Sequence, residues 1–351
     1  TDEYLTVMSE AGQIDFPSET VIKRGRIEAG DMVFWDHEQG RSYTGEEYLH
    51  ILAARKDYKK LLHDAVITLD QVADVPVAKA AASDLTTNQQ HIAYYLSQES
   101  FRFLLDTMLE TGAERVYAMG YGLTPNALSD QEGGMSQYFS QRFAQVTNPP
   151  LDSIREADGM TLRVSLGGKP GFVTGQKQLV VQSPVLLQQD LLKILNQDVI
   201  STQTVSMTYQ PDYNNVKNNA SKLELALDNL CNQVEWAAKN NVGIIVLSDR
   251  DISANNAAIP LLLAVASANQ RLIKSGLRFN SSIIADSGQI ASTHDVATVL
   301  GFGASAIFAI SAQTRAEELN SDNPDAAMKN FQKAINKSLM KTMGKFGLCT
   351  A

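Results

Sequence analysis

Three short runs in the C-terminal half of the chain, 243–248 (GIIVLS), 281–286 (SSIIAD) and 304–310 (ASAIFAI), are apolar at consecutive positions and are separated by stretches of helical periodicity. A strand with one buried face alternates apolar and polar side chains, whereas a strand apolar at every position needs cover on both faces. Helices expected over about 220–240, 257–275 and 293–300 supply that cover. Strand–helix–strand units joined in this way are right-handed and leave their strands parallel. The pattern therefore predicts an α/β fold, a parallel sheet with flanking helices, followed by a last helix from Asp325 to about Lys345.

The N-terminal part reads differently. Residues 20–44 put short β-rich runs around Gly30-Asp31 and Gln39-Gly40, the punctuation of hairpins in a small antiparallel segment. A helix is expected from Glu46 to about His63. Thr86-Thr87 offers an N-cap for a helix that carries Ile92, Leu96, Leu104 and Met108 and ends at Gly112. A further helix over Met135–Val146 is stopped by Asn148-Pro149-Pro150.

Charge and length exclude several roles. The 351 residues carry 30 Lys plus Arg against 39 Asp plus Glu, a net charge of -9, so nucleic acid and anionic membranes are not expected partners. The longest nearly apolar run, from Ala257 to Ala268, holds 12 residues, against about 20 for a membrane span. The opening TDEYLTVMSE has neither a basic nor an apolar region of the secretory kind. Cys231 and Cys349 are the only cysteines, too few and too far apart for a disulfide framework or a cysteine-built zinc or iron–sulfur site. A reducing, cytoplasmic setting is expected.

Residues that could carry chemistry are sparse. Functional groups in parallel α/β folds gather at the carboxyl ends of strands, which singles out Asp249-Arg250-Asp251 and Asp286. Two carboxylates there could act as acid and base or hold a metal; on the alternative reading Asp249 or Asp251 caps the loop or the next helix and pairs with Arg250, and Asp286 begins a turn at Gly288. The glycines of Gly301-Phe302-Gly303-Ala304 lie after a helix and before a strand, the wrong order for a phosphate loop and the right one for a helix stop and tight turn. Leu166-Gly167-Gly168-Lys169-Pro170-Gly171 reads as a surface hairpin. The five histidines never form an i, i+4 metal-binding pair.

Longer strings carry more information. FSQRFAQVTNPPLDSIRE (139–156), QSPVLL (182–187), IIVLSDR (244–250), IPLLLAVASANQRLIKSGLR (259–278) and KAINKSLMKTMGKFG (333–347) together resemble the large subunit of glutamate synthase, and residues 9–41 resemble the end of its glutaminase domain. The resemblance implies that residues 1–64 are the C-terminal part of the glutaminase (amidotransferase) domain and that 65–351 are the central domain. It also implies a degenerate (β/α) barrel for the parallel part, like the flavin domain that would follow.

In that family glutamine and 2-oxoglutarate become two glutamates. The resemblance assigns to the central domain the alignment of the glutaminase and FMN domains and part of the tunnel that carries ammonia between them. Two wall positions fall on Met119 and Thr147. No catalytic, cofactor-binding or metal position is inherited by this chain: FMN and an iron–sulfur cluster belong to the parent protein. The implied partners are the parent's own glutaminase and FMN domains, with a small NADPH-oxidising subunit or ferredoxin as electron source. The stretch MGYGLTPNALSD (119–130) departs from the family's usual MGDDTPLAVLSD, placing Tyr121 and Gly122 where two acidic residues are common. A free-standing α/β enzyme using Asp249, Asp251 and Asp286, or a pure subunit-interaction module, are the competing readings.

Overall fold

The computed structural model describes residues 1, 3–10, 12–77, 84–116, 134–140, 147–169 and 177–351. It divides into two compact units, Thr1–Leu62 and His63–Ala351.

In the first unit β1 (Val33–Asp36) and β2 (Arg41–Thr44) form an antiparallel hairpin in which Val33 faces Thr44 and Asp36 faces Arg41. The turn is set by Asp36, whose Oδ1 accepts the backbone N–H groups of Glu38 and Gln39. Thr44 then caps α1 (Gly45–Ala54) in a reciprocal box with Glu47. The single helix expected over 46–63 is two, because α2 (Tyr58–Ala65) has its own start, where Asp57 accepts the Lys60 N–H. Among the described residues of this unit only Tyr43 and Gly45 are buried, while Leu49, Leu61 and Leu62 are half or more exposed.

The second unit continues with β3 (Val66–Thr68), α3 (Thr87–Ala93), α4 (Asp106–Thr111), β4 (Val164–Leu166), β5 (Gln178–Val181), α5 (Gln188–Asn196), β6 (Thr202–Ser206) and β7 (Thr208–Tyr209). It is completed by α6 (Asn219–Lys239), β8 (Ile244–Ser248), β9 (Ala257–Ala258), α7 (Leu261–Lys274), β10 (Ser282–Ser287), α8 (Thr293–Gly301), β11 (Ala306–Ala309), α9 (Ile310–Leu319) and α10 (Pro324–Phe346). The central sheet has the order β11-β10-β8-β6, parallel throughout. A smaller sheet has the order β3-β5-β4.

The consecutive apolar residues of the strands serve two cores. Ile245, Leu247, Ile283, Ala285 and Ile307 face Val234 of α6, Val265 of α7, Val299 of α8 and Phe331 of α10. Their neighbours Ile244, Val246, Ile284, Ala306 and Phe308 face Leu191 and Ile194 of α5 and Leu166 and Leu179 of the small sheet. Beyond β11 a parallel bridge joins Val185 to Ile307, with Leu186 donating its N–H to Ile307 O at 2.8 Å. Among the described residues the central sheet remains open, with β6 as its other edge.

Two differences from the expected elements have local causes. The helix expected from 87 to 112 breaks after α3: Tyr94 turns into the interior, Tyr95 takes φ 60°, and a π-helical turn at Ser100–Leu105 leads into α4, which Gly112 ends at φ 65°. Of the helix expected over 135–146, the described part is a single turn, Met135–Tyr138, while 141–146 lie outside the described residues.

The Gly301–Ala304 turn follows the expected order, α8 then β11, and shows why one of its glycines is needed. Gly303 has φ +120°, and a Cβ there would stand 2.3 Å from Asn269 Cγ. Asn269 accepts from Arg278 Nε at 2.6 Å, and Arg278 Nη2 donates to Gly303 O at 2.9 Å. Gly303→Ala is therefore expected to lower stability by about 1–3 kcal/mol. The urea midpoint should fall with an unchanged m value.

Candidate functional site

Among the described residues, the carboxyl ends of β8 and β10 carry the only expected site residues that the fold brings together. Asp249, directly after β8, is 0% exposed, and Asp286, near the end of β10, is 3% exposed. Parallel pairing puts the two strands in register, Ser248 beside Asp286, so that their polar ends meet. Asp251, two residues further on, is in a turn and exposed, so the structure does not add it to the pair.

Each carboxylate has a full set of donors. Asp249 accepts from Ser287 Oγ at 2.5 Å, from Gly288 N at 3.0 Å and from Gln289 Nε2 at 3.1 Å. Gln289 continues the network, donating to Ile259 O and accepting from Leu261 N, so the loops after β8, β9 and β10 are tied together. Asp286 accepts from Ser248 Oγ at 2.7 Å and, on its two oxygens, from Arg250 Nε at 2.8 Å and Nη2 at 2.9 Å. Arg250 therefore pairs with Asp286 rather than with its sequence neighbours. Its guanidinium carbon lies 5.1 Å from the centre of the Phe308 ring.

Tyr94 completes the cluster from a distant part of the chain. It is 4% exposed, its hydroxyl donates to Asp249 O at 3.1 Å, and a Cβ on Gly288 would stand 2.2 Å from its ring. Gly288 is thus the floor on which the ring lies. Burial is the main reason that the Tyr94 hydroxyl holds its proton more tightly than a free phenol, with the Asp249 charge adding to it. Burial likewise pushes the Asp249 carboxyl up to about 6, against the pull of its three donors.

Chemically, this arrangement ties loops together. A general acid or base must reach the proton it moves, and Asp249 is sealed from solvent with both oxygens engaged. Among the described residues no three His, Cys, Asp or Glu side chains converge to hold a metal ion. The positional rule found the two aspartates but not Tyr94, Ser287 or Gln289; the Ser-Gly-Gln step straight after an apolar run was the available signal. Of the two positions assigned to a tunnel wall, Met119 lies outside the described residues, as do Tyr121 and Gly122, and Thr147 is an exposed residue in a bend before Pro149-Pro150. No helix among the described residues is long and apolar enough to cross a membrane.

Residues 89–351 match the family described as glutamate synthase central domain, and residues 1–61 match class-II glutamine amidotransferases. The ferredoxin-dependent glutamate synthase of Spinacia oleracea, a chloroplastic protein, is 30% identical over 368 residues, covering 99% of this chain and 22% of that protein. The glutamate synthase [NADPH] large chain of Bacillus subtilis (strain 168) is 30% identical over 362 residues, covering 99% and 23%. The glutamate synthase [NADH] of Schizosaccharomyces pombe is 26% identical over 374 residues, covering 100% and 17%. The chain thus spans about a fifth of the length of these relatives. Among solved structures, the recombinant flavin-binding domain of baker's yeast flavocytochrome b2 overlaps 48% of this chain and 36% of that one at 16% identity, with a TM-score of 0.31. That overlap is too slight to carry an argument.

Proposed function

The chain belongs to the glutamate synthase central-domain family, and from that premise we propose that it is the connector of a glutamate synthase large subunit, aligning a glutaminase domain with a flavin domain and walling part of the ammonia path between them. The observation that carries this reading is the order of the two matches in one chain: an amidotransferase stretch at 1–61, then the central domain at 89–351. In this reading residues 1–64 end the glutaminase domain and 65–351 are the central domain. The chain itself is catalytically silent, FMN and the iron–sulfur cluster sit in a following domain, and electrons arrive from an NADPH-oxidising subunit or ferredoxin. The whole enzyme works in a reducing, cytoplasmic setting.

A walled path is needed because ammonia released into water protonates and diffuses away, whereas enclosure keeps it oriented and concentrated at the carbon it attacks. Met119 and Thr147 are assigned to that wall. The assignment suits their chemistry, a pliable apolar side chain and a small hydroxyl beside the rigid Pro149-Pro150 step.

Thr147→Trp in the full-length enzyme tests it. Glutamine hydrolysis should continue while glutamate formation falls on the order of tenfold and ammonia appears in solution. An unchanged ratio of glutamate formed to glutamine hydrolysed, with no ammonia released, would leave the chain as a subunit-interaction module without a tunnel.

A further inference from the structure

The outer edge of α10 is a ridge of lysines. Residues 326–346 contain Lys329, Lys333, Lys337, Lys341 and Lys345 and no aspartate or glutamate. The first four are exposed and Lys345 is half-buried. The opposite side of the helix carries Met328, Phe331, Ile335, Leu339 and Met343 into the core, so the ridge points away from it. Successive lysines are four residues apart, about 6 Å between neighbours, and the row extends about 24 Å along the helix. Among the described residues the ion-paired lysines are Lys193 and Lys239, neither of them on α10.

Ordinary helix electrostatics do not account for this row. The negative pole at a helix C-terminus favours cations in the last turn, which covers Lys345 but not Lys329, Lys333, Lys337 or Lys341. Like charges four residues apart oppose the helix, and the usual partner of an exposed lysine at that spacing is a glutamate. The concentration is also against the trend of the molecule, which has nine more acidic than basic residues overall.

We propose that the lysine ridge of α10 is a docking surface for an acidic protein partner. Charge complementarity points to the partner, and the net charge of -9 selects its kind. A membrane or a long nucleic acid presents negative charge to the whole face of an acidic molecule and is repelled by most of it. A compact acidic protein meets the ridge alone. Lysine suits that role, because mobile point charges steer a partner and release it, whereas arginines would clamp carboxylates in pairs. The proposal does not use the assignment of Met119 and Thr147, so it stands whether or not the chain walls an ammonia path.

The test uses the 351-residue chain with labelled poly-L-glutamate as the acidic polypeptide, read by fluorescence anisotropy, beside duplex DNA and phosphatidylserine–phosphatidylcholine vesicles. One variant carries Lys329→Gln, Lys333→Gln, Lys337→Gln and Lys341→Gln. A second carries Lys59→Gln, Lys60→Gln, Lys217→Gln and Lys222→Gln, which removes the same charge from exposed sites elsewhere. The ridge variant should bind poly-L-glutamate at least about tenfold more weakly than the parent, the second variant should bind as the parent does, and binding should fade with salt. Circular dichroism should show both variants folded, since all eight side chains are exposed. Equal losses in both variants would reduce the effect to net charge. Tighter binding of DNA or vesicles than of poly-L-glutamate, or a ridge variant that binds undiminished, would also overturn the proposal.

Discussion

Asp249→Ala is expected to destabilise the second unit by about 2–4 kcal/mol at pH 7, more than a surface substitution could. The carboxylate satisfies Ser287 Oγ, Gly288 N and Gln289 Nε2, and its removal leaves the buried Ser287 and Gly288 donors without an acceptor, while the half-buried Gln289 amide keeps Ile259 O. Each orphaned donor costs about 1–3 kcal/mol. Part of that loss is offset, because the ionised carboxylate is itself held in a site that disfavours its charge. Its folded value of about 6 lies above the ordinary 3.8, so the folded state binds the proton more tightly than the unfolded one. The group therefore lowers stability once pH exceeds about 6, by about 3 kcal/mol, and this penalty fades as pH falls from about 6 toward 4. Two outcomes follow for urea denaturation followed across that range. Asp249→Ala should cost more at pH 5 than at pH 7, and the stability difference between the parent and Asp249→Asn should change across the window. A pH-independent difference would mean that Asp249 titrates normally.

Phe308→Ala should lower stability by about 3–5 kcal/mol. Phe308 is 1% exposed on β11, in the core shared by Ile244, Val246, Ile284 and the helix α5. Its ring also underlies the Arg250 guanidinium that grips Asp286, so truncation opens a void and loosens the ion pair above it. Phe308→Leu, which retains most of the volume, should recover more than half of the loss in thermal or urea unfolding. Equal losses in both variants would assign the effect to the ring's contact with Arg250 and not to packing.

The legible parts of this fold are those whose cause is local. β8, β10 and β11 were readable because burial on both faces leaves no polar position, and α6, α7, α8 and α10 because periodicity marks a buried side. β6 was not, since Thr202–Ser206 is an edge strand whose polar residues resemble a loop. α9 was hidden because it starts at Ile310 directly after β11, so the apolar run continues with no break between strand and helix. The break after α3 has a tertiary cause: Tyr94 donates to a carbonyl 155 residues away.

The same holds for the polar cluster. Asp249 and Asp286 were visible as strand ends, but their partners lie 36 to 40 residues apart in sequence and share no motif with them. Asp251 looked equivalent to Asp249 in the sequence and is separated from it by a turn that exposes it. The lysine ridge, by contrast, needed only the four-residue count and the knowledge of which side of α10 is covered.

Strands that are apolar on both faces raise a problem of alignment. In a half-buried strand a slip of one residue would expose the apolar set, so polarity alone forbids it. In β8 a slip exchanges Ile244 and Val246 for Ile245 and Leu247, and neither choice puts an apolar side chain in water. What a slipped β8 could not keep is the meeting of Ser248 with Asp286 and of Asp249 with Ser287, Gly288 and Gln289. The buried carboxylates thus act as index marks at the ends of otherwise featureless rails, and the fold would spend their desolvation on being aligned in one way only.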